Sequence, residues 1–243
     1  MKHFLRTSIL AGGIALAASM AQSAPLTAGG STFVTGTTSA ADPELAGIVQ
    51  NDDILTTSLL RVPDPSSISF VGFNIQNSVT ESDTQGTMIF GPRIRFTANV
   101  SAGNFLIDSL RLFGYGDFAT DVAYRTDGLG DRGPSFADRS ADGNTLDFDF
   151  AFPLVVGNLS ESIKEESHFL RIKTEATHFE NTGRATIFGR HVDYPDQTFR
   201  LDYSGLAVPT LAPVPLPASF LLMLGGFGAF FGLRWKKLGK TYG

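Results

Sequence analysis

Cysteine is absent from all 243 residues of this chain. Its absence excludes disulfide bonds, thiolate metal sites and a cysteine nucleophile. The nucleophile elbow G-x-S-x-G, the phosphate-binding loop and the dinucleotide-binding glycine pattern are missing as well, so no familiar marker of an enzyme is present. Phenylalanine, in contrast, occurs 21 times. This abundance of large flat rings favours a core built from packed aromatic side chains.

Positive charge is scarce in the central part of the chain. Of 19 Lys and Arg residues six lie near the two termini, whereas none of the 24 Asp and Glu residues does. The body between the termini therefore carries 13 basic and 24 acidic groups, a net charge of about −11. Such a surface repels nucleic acid and anionic lipid and attracts divalent cations only diffusely, so we exclude a nucleic-acid partner. The six terminal basic residues are Lys2, Arg6, Arg234, Lys236, Lys237 and Lys240.

The N-terminus has the pattern of a secretory signal peptide. Lys2 and Arg6 supply a positive start, and residues 9–18 form an apolar stretch. Small residues surround Ala21, after which we predict cleavage by signal peptidase, so that residues 1–21 are the predicted signal peptide. The chain is therefore expected to be exported through the Sec translocon.

The C-terminus combines a proline motif, an apolar segment and a basic end. Residues 218–233 contain no charged side chain, and a basic stop follows them. Counted from Leu211, the uncharged segment corresponds to about 34 Å of helix, which is enough to cross the hydrocarbon core. We predict a transmembrane helix here, with its basic end in the cytoplasm and the body outside. The residues of the basic stop are Arg234, Lys236 and Lys237.

The proline motif consists of Val214, Pro215, Leu216, Pro217 and Ala218. Together with the Gly-, Phe- and Leu-rich span and the basic stop, it resembles the VPLPA-CTERM sorting signal, a variant of the PEP-CTERM tails, over residues 214–237. The resemblance covers only the tail of the chain. It implies recognition by an exosortase, a transpeptidase-like membrane enzyme that cleaves near the proline motif. It also implies a transient inner-membrane anchor followed by a place at the cell surface or in the extracellular exopolysaccharide.

The body has the alternation of β-strands. In residues 93–100, 146–152 and 199–204, apolar and polar side chains alternate with period two, so that each segment has one apolar face and one wet face. Glycine, proline, asparagine and aspartate separate these segments from further strand candidates. We predict a single antiparallel β-sandwich, jelly-roll-like, over residues 22–205.

Two boundaries follow from proline and glycine. Residues 206–213 are uncharged and contain two prolines, and we predict a stiff linker there between the body and the membrane segment. Asn181 and Gly183 lie between two strand candidates, which predicts a hairpin turn at this point.

Asp147 and Asp149 are the candidates for a catalytic pair. They lie about 7 Å apart along one strand face, and a retaining glycosidase needs carboxyl groups about 5–5.5 Å apart. Residues 146–150, Leu-Asp-Phe-Asp-Phe, faintly resemble the acidic strand of jelly-roll glucanases. Asp147, however, stands where that pattern has Glu, and the further downstream acid of the pattern is missing, since Phe150, Ala151 and Phe152 follow. Because the intervening Phe148 must face the core, we expect both carboxylates to point to solvent on an ordinary wet face, with no catalytic role.

Metal sites are weakly indicated. The body's histidines, His168, His178 and His191, complete no zinc motif, and we expect solvent-facing strand positions for them. Six aspartates lie within residues 117–142, among glycine-rich turns that could supply oxygen ligands to calcium. Asp138 and Asp142 are the calcium candidates, but their spacing fits no EF-hand. We expect polar turns and no cofactor, with calcium as the alternative.

These features predict an exported protein of the cell surface or extracellular matrix, sorted by an exosortase-type system. The expected role is structural or adhesive, as a glycan-associated binding module and not as an enzyme. The alternative is a polysaccharide-active enzyme, of the glycoside hydrolase kind, that uses paired carboxylates. A hydrolase would need carboxylates that converge in a cleft, whereas a binding module would have a flat or loop-borne site.

Overall fold

The computed structural model describes residues 23–57, 60–63, 68–96, 104–157 and 163–212, with the backbone alone described for 60–63 and 68–71. The chain divides into two units, Met1–Thr210 and Leu211–Gly243, and only residues 211–212 of the second unit are described. The predicted signal peptide, the sorting motif and the basic stop therefore lie outside the described residues. Within the described part, no helix is both long and apolar enough to cross a bilayer.

The described chain is all-β, as predicted, and its regular helical content is one 3₁₀ turn at Pro43–Leu45. The strands are β1 Ala24–Pro25, β2 Ser31–Phe33, β3 Gly36–Thr37, β4 Gly47–Thr56, β5 Leu60–Pro63, β6 Ile68–Val71, β7 Phe73–Ser82, β8 Met88–Phe96, β9 Phe105–Phe113, β10 Thr120–Arg125, β11 Phe136–Arg139, β12 Thr145–Val156, β13 Leu170–Thr174, β14 His178–His191 and β15 Thr198–Thr210.

Two large sheets account for most of these strands. The first sheet has the order β1-β10-β13-β8-β7-β4, and β3 pairs with β10 in parallel. The second sheet has the order β15-β14-β9-β12-β11-β2, and all of its pairings are antiparallel. Strands β5 and β6 form a separate hairpin. The chain passes repeatedly between the two sheets, because β9, β11 and β12 belong to the second sheet whereas β8, β10 and β13 belong to the first.

The inner faces of the two sheets share one apolar core. Phe73 of the first sheet stacks on Phe199 of the second, with ring centroids 6.4 Å apart. Phe90 meets the buried ring of Tyr115 edge to face at 5.8 Å. Aromatic pairs in these geometries stabilise a core beyond the area that they bury. The predicted packing of antiparallel sheets around a Phe-rich core is confirmed, in a β-sandwich-like arrangement.

Asn77 links the two sheets through the core. It lies on β7 and is 1% exposed. Its side-chain amide donates to the carbonyl of Gly205 at 3.3 Å, and its side-chain carbonyl accepts the N–H of Ala207 at 3.0 Å. Gly205 has a φ of +84°, which bends β15 and takes these two backbone groups out of the regular ladder. Asn77 therefore satisfies the polar groups that the bend leaves without strand partners.

Arg139 ties several turns together at the end of β11. It is 7% exposed, and its guanidinium donates only to backbone carbonyls. The planar fork of donors in arginine suits this role, because several carbonyls can be bound at once. The acceptors are Gly143 at 2.9 Å, Leu26 at 3.0 Å, Tyr115 at 2.8 Å and Phe118 at 2.7 Å.

The end of the body differs from the prediction. Residues 206–210 of the linker expected at 206–213 are not a spacer, because β15 continues to Thr210 and Leu206, Ala207 and Val208 are buried. Here uncharged residues form a strand end against the core instead of a spacer. Pro209 is tolerated because β15 is an edge strand of its sheet, where a proline removes no necessary hydrogen bond.

The predicted turn at Asn181 and Gly183 is also wrong, because β14 runs through it from His178 to His191. The pairing of β14 with β15 shifts register between Glu180 and Gly183 and again at Arg184. A Cβ at position 183 would collide with the side chain of Val208. Glycine here permits a close approach of two strands at a bulge and not a chain reversal.

Strand β12 contains a wide irregularity that the alternation did not predict. Leu146, Phe148 and Phe150 are buried, as expected, but Phe152 is 73% exposed. Between Asp149 and Leu154 the register with β9 shifts, so that β12 bulges away from its neighbour. The bulge turns the ring of Phe152 outward, and the expectation that it belongs to the core is corrected.

Candidate functional site

The outer face of the second sheet carries a row of polar residues across its six strands. Asp147 lies near the centre of this row, and its carboxylate accepts from Arg111 Nε at 2.5 Å. The guanidinium of Arg111 also covers the ring of Phe188 at 5.1 Å. Asp147 lies on the outer face, as expected, but its side chain is half-buried and the neighbouring strand supplies it with a counter-ion. From edge to edge, the row is Ser31, Asp138, Asp147, Arg111, Thr186 and Asp202.

Asp149 lies one step along the same face and is exposed, as expected. Partial burial raises its pKa above the ordinary aspartate value, and the neighbouring carboxylates Asp138 and Asp147 raise it further, whereas Arg111 lowers it. A carboxyl group with a raised pKa beside a carboxylate paired with arginine is the asymmetry that a general acid and a nucleophile require. On this face, however, the two groups lie on an open sheet surface.

The calcium candidates Asp138 and Asp142 are engaged locally. Asp138 accepts the hydroxyl of Ser31 on the neighbouring strand. Asp142 accepts the hydroxyl of Ser140 at 2.5 Å and the N–H of Asn144 at 3.0 Å, and these hydrogen bonds lower its pKa. This is the geometry of an aspartate that closes a turn. In the parts of the chain that the structure describes, no three His, Asp or Glu residues are grouped as metal ligands would be.

The three histidines lie in different environments. His178 is exposed at the start of β14, as expected, and His168 is half-buried just before β13. The expectation of a solvent-facing position is wrong for His191, which is 1% exposed. Its ring packs edge to face on Phe105 at 5.1 Å and accepts the N–H of Asp193 at 3.1 Å. Buried against aromatic rings at the end of a long strand, it belongs to the core.

A groove of about 490 Å³ lies where β2 and the bulge of β12 approach β10. Phe33 and Phe152 flank it, and their side chains are 75% and 73% exposed. Phe33 meets Phe136 edge to face at 5.4 Å, a contact that restrains its ring. Two large rings that lie exposed beside one groove are unusual in the described chain and form a platform for an apolar ligand face.

Polar side chains also line this groove. The rings of Tyr124 and His168 stack at 5.5 Å with an interplanar angle of 8°. The Nδ1 atom of His168 is buried and has no hydrogen-bond partner in the described structure. Arg132 also lines the groove and makes a two-pronged ion pair with Glu165, at 2.8 and 2.7 Å. The groove thus combines exposed apolar rings with polar side chains, which is the usual composition of a small-molecule site.

Sequence reasoning did not find this groove. Phe33 lies in a segment rich in glycine, serine and threonine that has no clear alternation, and Phe152 continues an alternation that the bulge interrupts. The one available signal is Pro153, which directly follows Phe152 and, as a residue without an N–H, is typical of a break in a strand ladder. The sorting residues Val214, Pro215, Leu216, Pro217 and Ala218 lie outside the described residues.

Comparison with known proteins adds no relative. The chain matches no protein-family model, no curated protein and no solved structure at a significant level.

Proposed function

We propose that this protein is an exported protein of the cell surface or extracellular matrix whose β-sandwich acts as a glycan-associated binding module. The observation that carries the binding role is the pair of exposed rings, Phe33 and Phe152, beside one groove. A sugar ring has an apolar face of C–H groups that lies well on an aromatic ring, and hydroxyl groups at its rim that need hydrogen-bond partners. The groove has both elements, since His168 and Arg132 lie within it.

The proposed destination rests on the two ends of the sequence. The signal-peptide pattern of residues 1–21 supports export, and the motif of residues 214–218 supports recognition by an exosortase-type enzyme. Intact mass spectrometry of surface-extracted protein should show chains that begin near Gln22 and end between Pro215 and Ala218. Recovery of chains that retain Arg234 in that pool would refute processing of the tail.

We also propose that the sandwich is jelly-roll-like. The proposal is supported by the repeated passage of the chain between the two sheets, which is typical of double-sheet folds built from Greek keys.

The binding role is tested with Phe33→Ala/Phe152→Ala in the full-length protein. Because both rings are exposed, we expect the free energy of unfolding to change by less than about 0.5 kcal/mol. Retention on an immobilised neutral β-glucan should fall at least about tenfold, which corresponds to about 1.4 kcal/mol. Ile48→Ala is the matched control, since Ile48 is exposed on β4 of the first sheet. Equal retention of all three proteins would refute the groove as a glycan site.

A polysaccharide-active enzyme is the second candidate, and the raised pKa of Asp149 beside Asp147 favours it. In that case the same β-glucan should be cleaved with release of reducing sugar. Asp147→Asn/Asp149→Asn should abolish this release. Activity that depends on the two aspartates would replace the binding role with a hydrolytic one.

A further inference from the structure

A second cleft, of about 350 Å³, lies on the outer face of the first sheet. Its floor is formed by outward-facing residues of β4, β7 and β13, and residues 39–47 form a wall above them. Arg171 points into this cleft because its strand neighbours Leu170 and Ile172 face the core. The volume falls within the range of about 300–1,000 Å³ that small-molecule sites occupy. The cleft shares no lining residue with the groove of Phe33 and Phe152.

Arg171 is a buried cation that forms no ion pair with any of the described residues. The residue is 5% exposed, and its Nε atom is buried with no hydrogen-bond partner in the described structure. The neighbouring cation Arg125 is neutralised by Asp127, with 2.6 Å between Nε and Oδ1. Burial, and then the charge of Arg125, lower the pKa of Arg171 to about 10, so its guanidinium is still protonated at neutral pH.

Burying an unpaired charge is unfavourable, and folded proteins rarely leave one in place without a role. Arg171 packs over a glycine of the neighbouring strand β8, because Gly91 lies directly below one of its terminal nitrogens. Unlike Arg139, Arg171 donates to no backbone carbonyl of the described chain, and its side chain lines the cleft. Arginine in this position binds a carboxylate through two parallel hydrogen bonds.

Gln76 presents the complementary group in the same cleft. Its Nε2 donates to Asp52 at 2.7 Å, whereas its Oε1 is buried and has no donor in the described part of the chain. Leaving a buried polar group without a hydrogen-bond partner is unfavourable. A ligand that supplies an acceptor to Arg171 and a donor to Gln76 satisfies both groups at once. A simple anion supplies only the acceptor.

We propose that this cleft binds a carboxylated sugar, such as a uronic acid unit of an acidic polysaccharide. The carboxylate accepts from the guanidinium of Arg171, and a ring hydroxyl donates to Oε1 of Gln76. The choice of a sugar deepens the proposed glycan-associated role and rests on it, but the site itself is independent of the aromatic groove. The acidic body repels polyanions over most of its surface. An acidic polysaccharide is therefore recognised only at this cleft, through the buried cation Arg171.

The test measures binding of glucuronate, glucose, acetate and inorganic phosphate to the full-length protein by isothermal titration calorimetry. Glucuronate should bind, and each of the other three should bind at least tenfold more weakly. Arg171→Gln should weaken glucuronate binding at least tenfold. Arg200→Gln is the matched control, because Arg200 is exposed on the second sheet and paired with Asp202, and it should bind glucuronate as the unaltered protein does.

Several results would overturn the proposal. They are an absence of glucuronate binding, equal binding by Arg171→Gln, and binding of acetate or phosphate as tight as that of glucuronate. If Arg171→Gln does not fold, Gln76→Leu decides the matter, since it should bring glucuronate binding down to the level of acetate while the melting temperature is retained. Failure of the β-glucan experiment with unaltered glucuronate binding would refute the aromatic groove alone.

Discussion

Two buried arginines of this protein have opposite surroundings. Arg139 is 7% exposed and Arg171 is 5% exposed, and neither has an acidic partner within ion-pair distance in the described structure. The guanidinium of Arg139 is surrounded by four backbone carbonyls, which hold the turns around β11 in place. The guanidinium of Arg171 faces an open cleft. Burial therefore does not distinguish a structural arginine from a ligand-binding one. What distinguishes them is whether the N–H groups of the guanidinium have acceptors within the protein.

The difference comes from the chain around each residue. Arg139 lies at the end of β11, where irregular segments turn and leave carbonyls without ladder partners. Arg171 lies within β13, whose backbone groups are already paired with β8 and β10. A regular sheet offers no free carbonyl to a side chain above it, so the donors of Arg171 need a partner from elsewhere.

The largest expected effect is on folding stability. Arg139→Met leaves the carbonyls of Leu26 and Gly143 with no donor in the described structure, whereas those of Tyr115 and Phe118 still accept from Phe118 N–H and the Thr120 hydroxyl. We expect the free energy of unfolding in urea to fall by about 4 kcal/mol, since each buried unmet group costs about 1–3 kcal/mol. Arg171→Met removes an unpaired charge and no protein hydrogen bond, so it should change stability by less than about 1 kcal/mol, in the stabilising direction. Equal losses in the two variants would end the distinction between the two arginines.

Alkaline pH should weaken the region around Arg139 next. The hydroxyl of Tyr115, whose carbonyl binds Arg139, is buried without a partner among the described residues, and burial raises its pKa far above the usual value. Burial also raises the pKa of Tyr203, whose hydroxyl donates to the carbonyl of Phe73. Below pH 10 each tyrosine makes its full contribution to the free energy of unfolding. Above that pH, only the unfolded tyrosines ionise, so stability is lost by about 1.4 kcal/mol per group and pH unit.

This loss is measured as urea midpoints between pH 9 and pH 11. Tyr115→Phe should make the alkaline slope clearly shallower, because only Tyr203 of the two buried tyrosines then contributes to it. Arg171→Met should make the slope steeper above pH 10, because the lowered pKa of Arg171 lets the folded protein lose this proton before the unfolded chain does, which opposes the tyrosine effect. An unchanged slope in Tyr115→Phe would show that this hydroxyl ionises in the folded protein.

The smallest effects are expected at the glycine beneath each arginine. Gly143 has a φ of +73°, and its carbonyl accepts from Arg139, so Gly143→Ala should cost about 1–2 kcal/mol from the backbone conformation alone. Gly91 has no such conformation, but an added Cβ would lie 3.0 Å from Arg171 Nη1. Gly91→Ala should cost less than about 1 kcal/mol and weaken glucuronate binding by displacing the guanidinium. Thermal unfolding and calorimetry distinguish these outcomes.

Alternation predicted the inner faces of the sheets well. Leu146, Phe148 and Phe150 are buried because a regular strand returns every second side chain to the same face. The prediction fails at Phe152, where an irregular pairing resets the pattern, and at Gly183, where a bulge has the composition of a turn. Such local departures depend on the partner strand, which is distant in sequence.

The binding candidates were beyond the reach of the sequence for the same reason. The outward position of Arg171 follows from the alternation of β13, but its burial depends on residues 39–47, which cover it from more than a hundred positions away. The ion pair of Asp147 likewise depends on the register of β12 with β9, which places Arg111 opposite. Pattern reasoning specifies the face on which a side chain lies, and only the fold specifies its neighbours.

The last strand has a consequence for contacts between copies of the protein. Strand β15 is 13 residues long and pairs in a sheet with β14 alone among the described strands, so its outer edge is a template on which a second copy could add a strand and begin a fibre. The bend at Gly205, the missing N–H of Pro209 and the charges of Arg200 and Asp202 interrupt this edge. These features hinder the addition of a strand at this edge, so we expect copies of the protein not to join through β15.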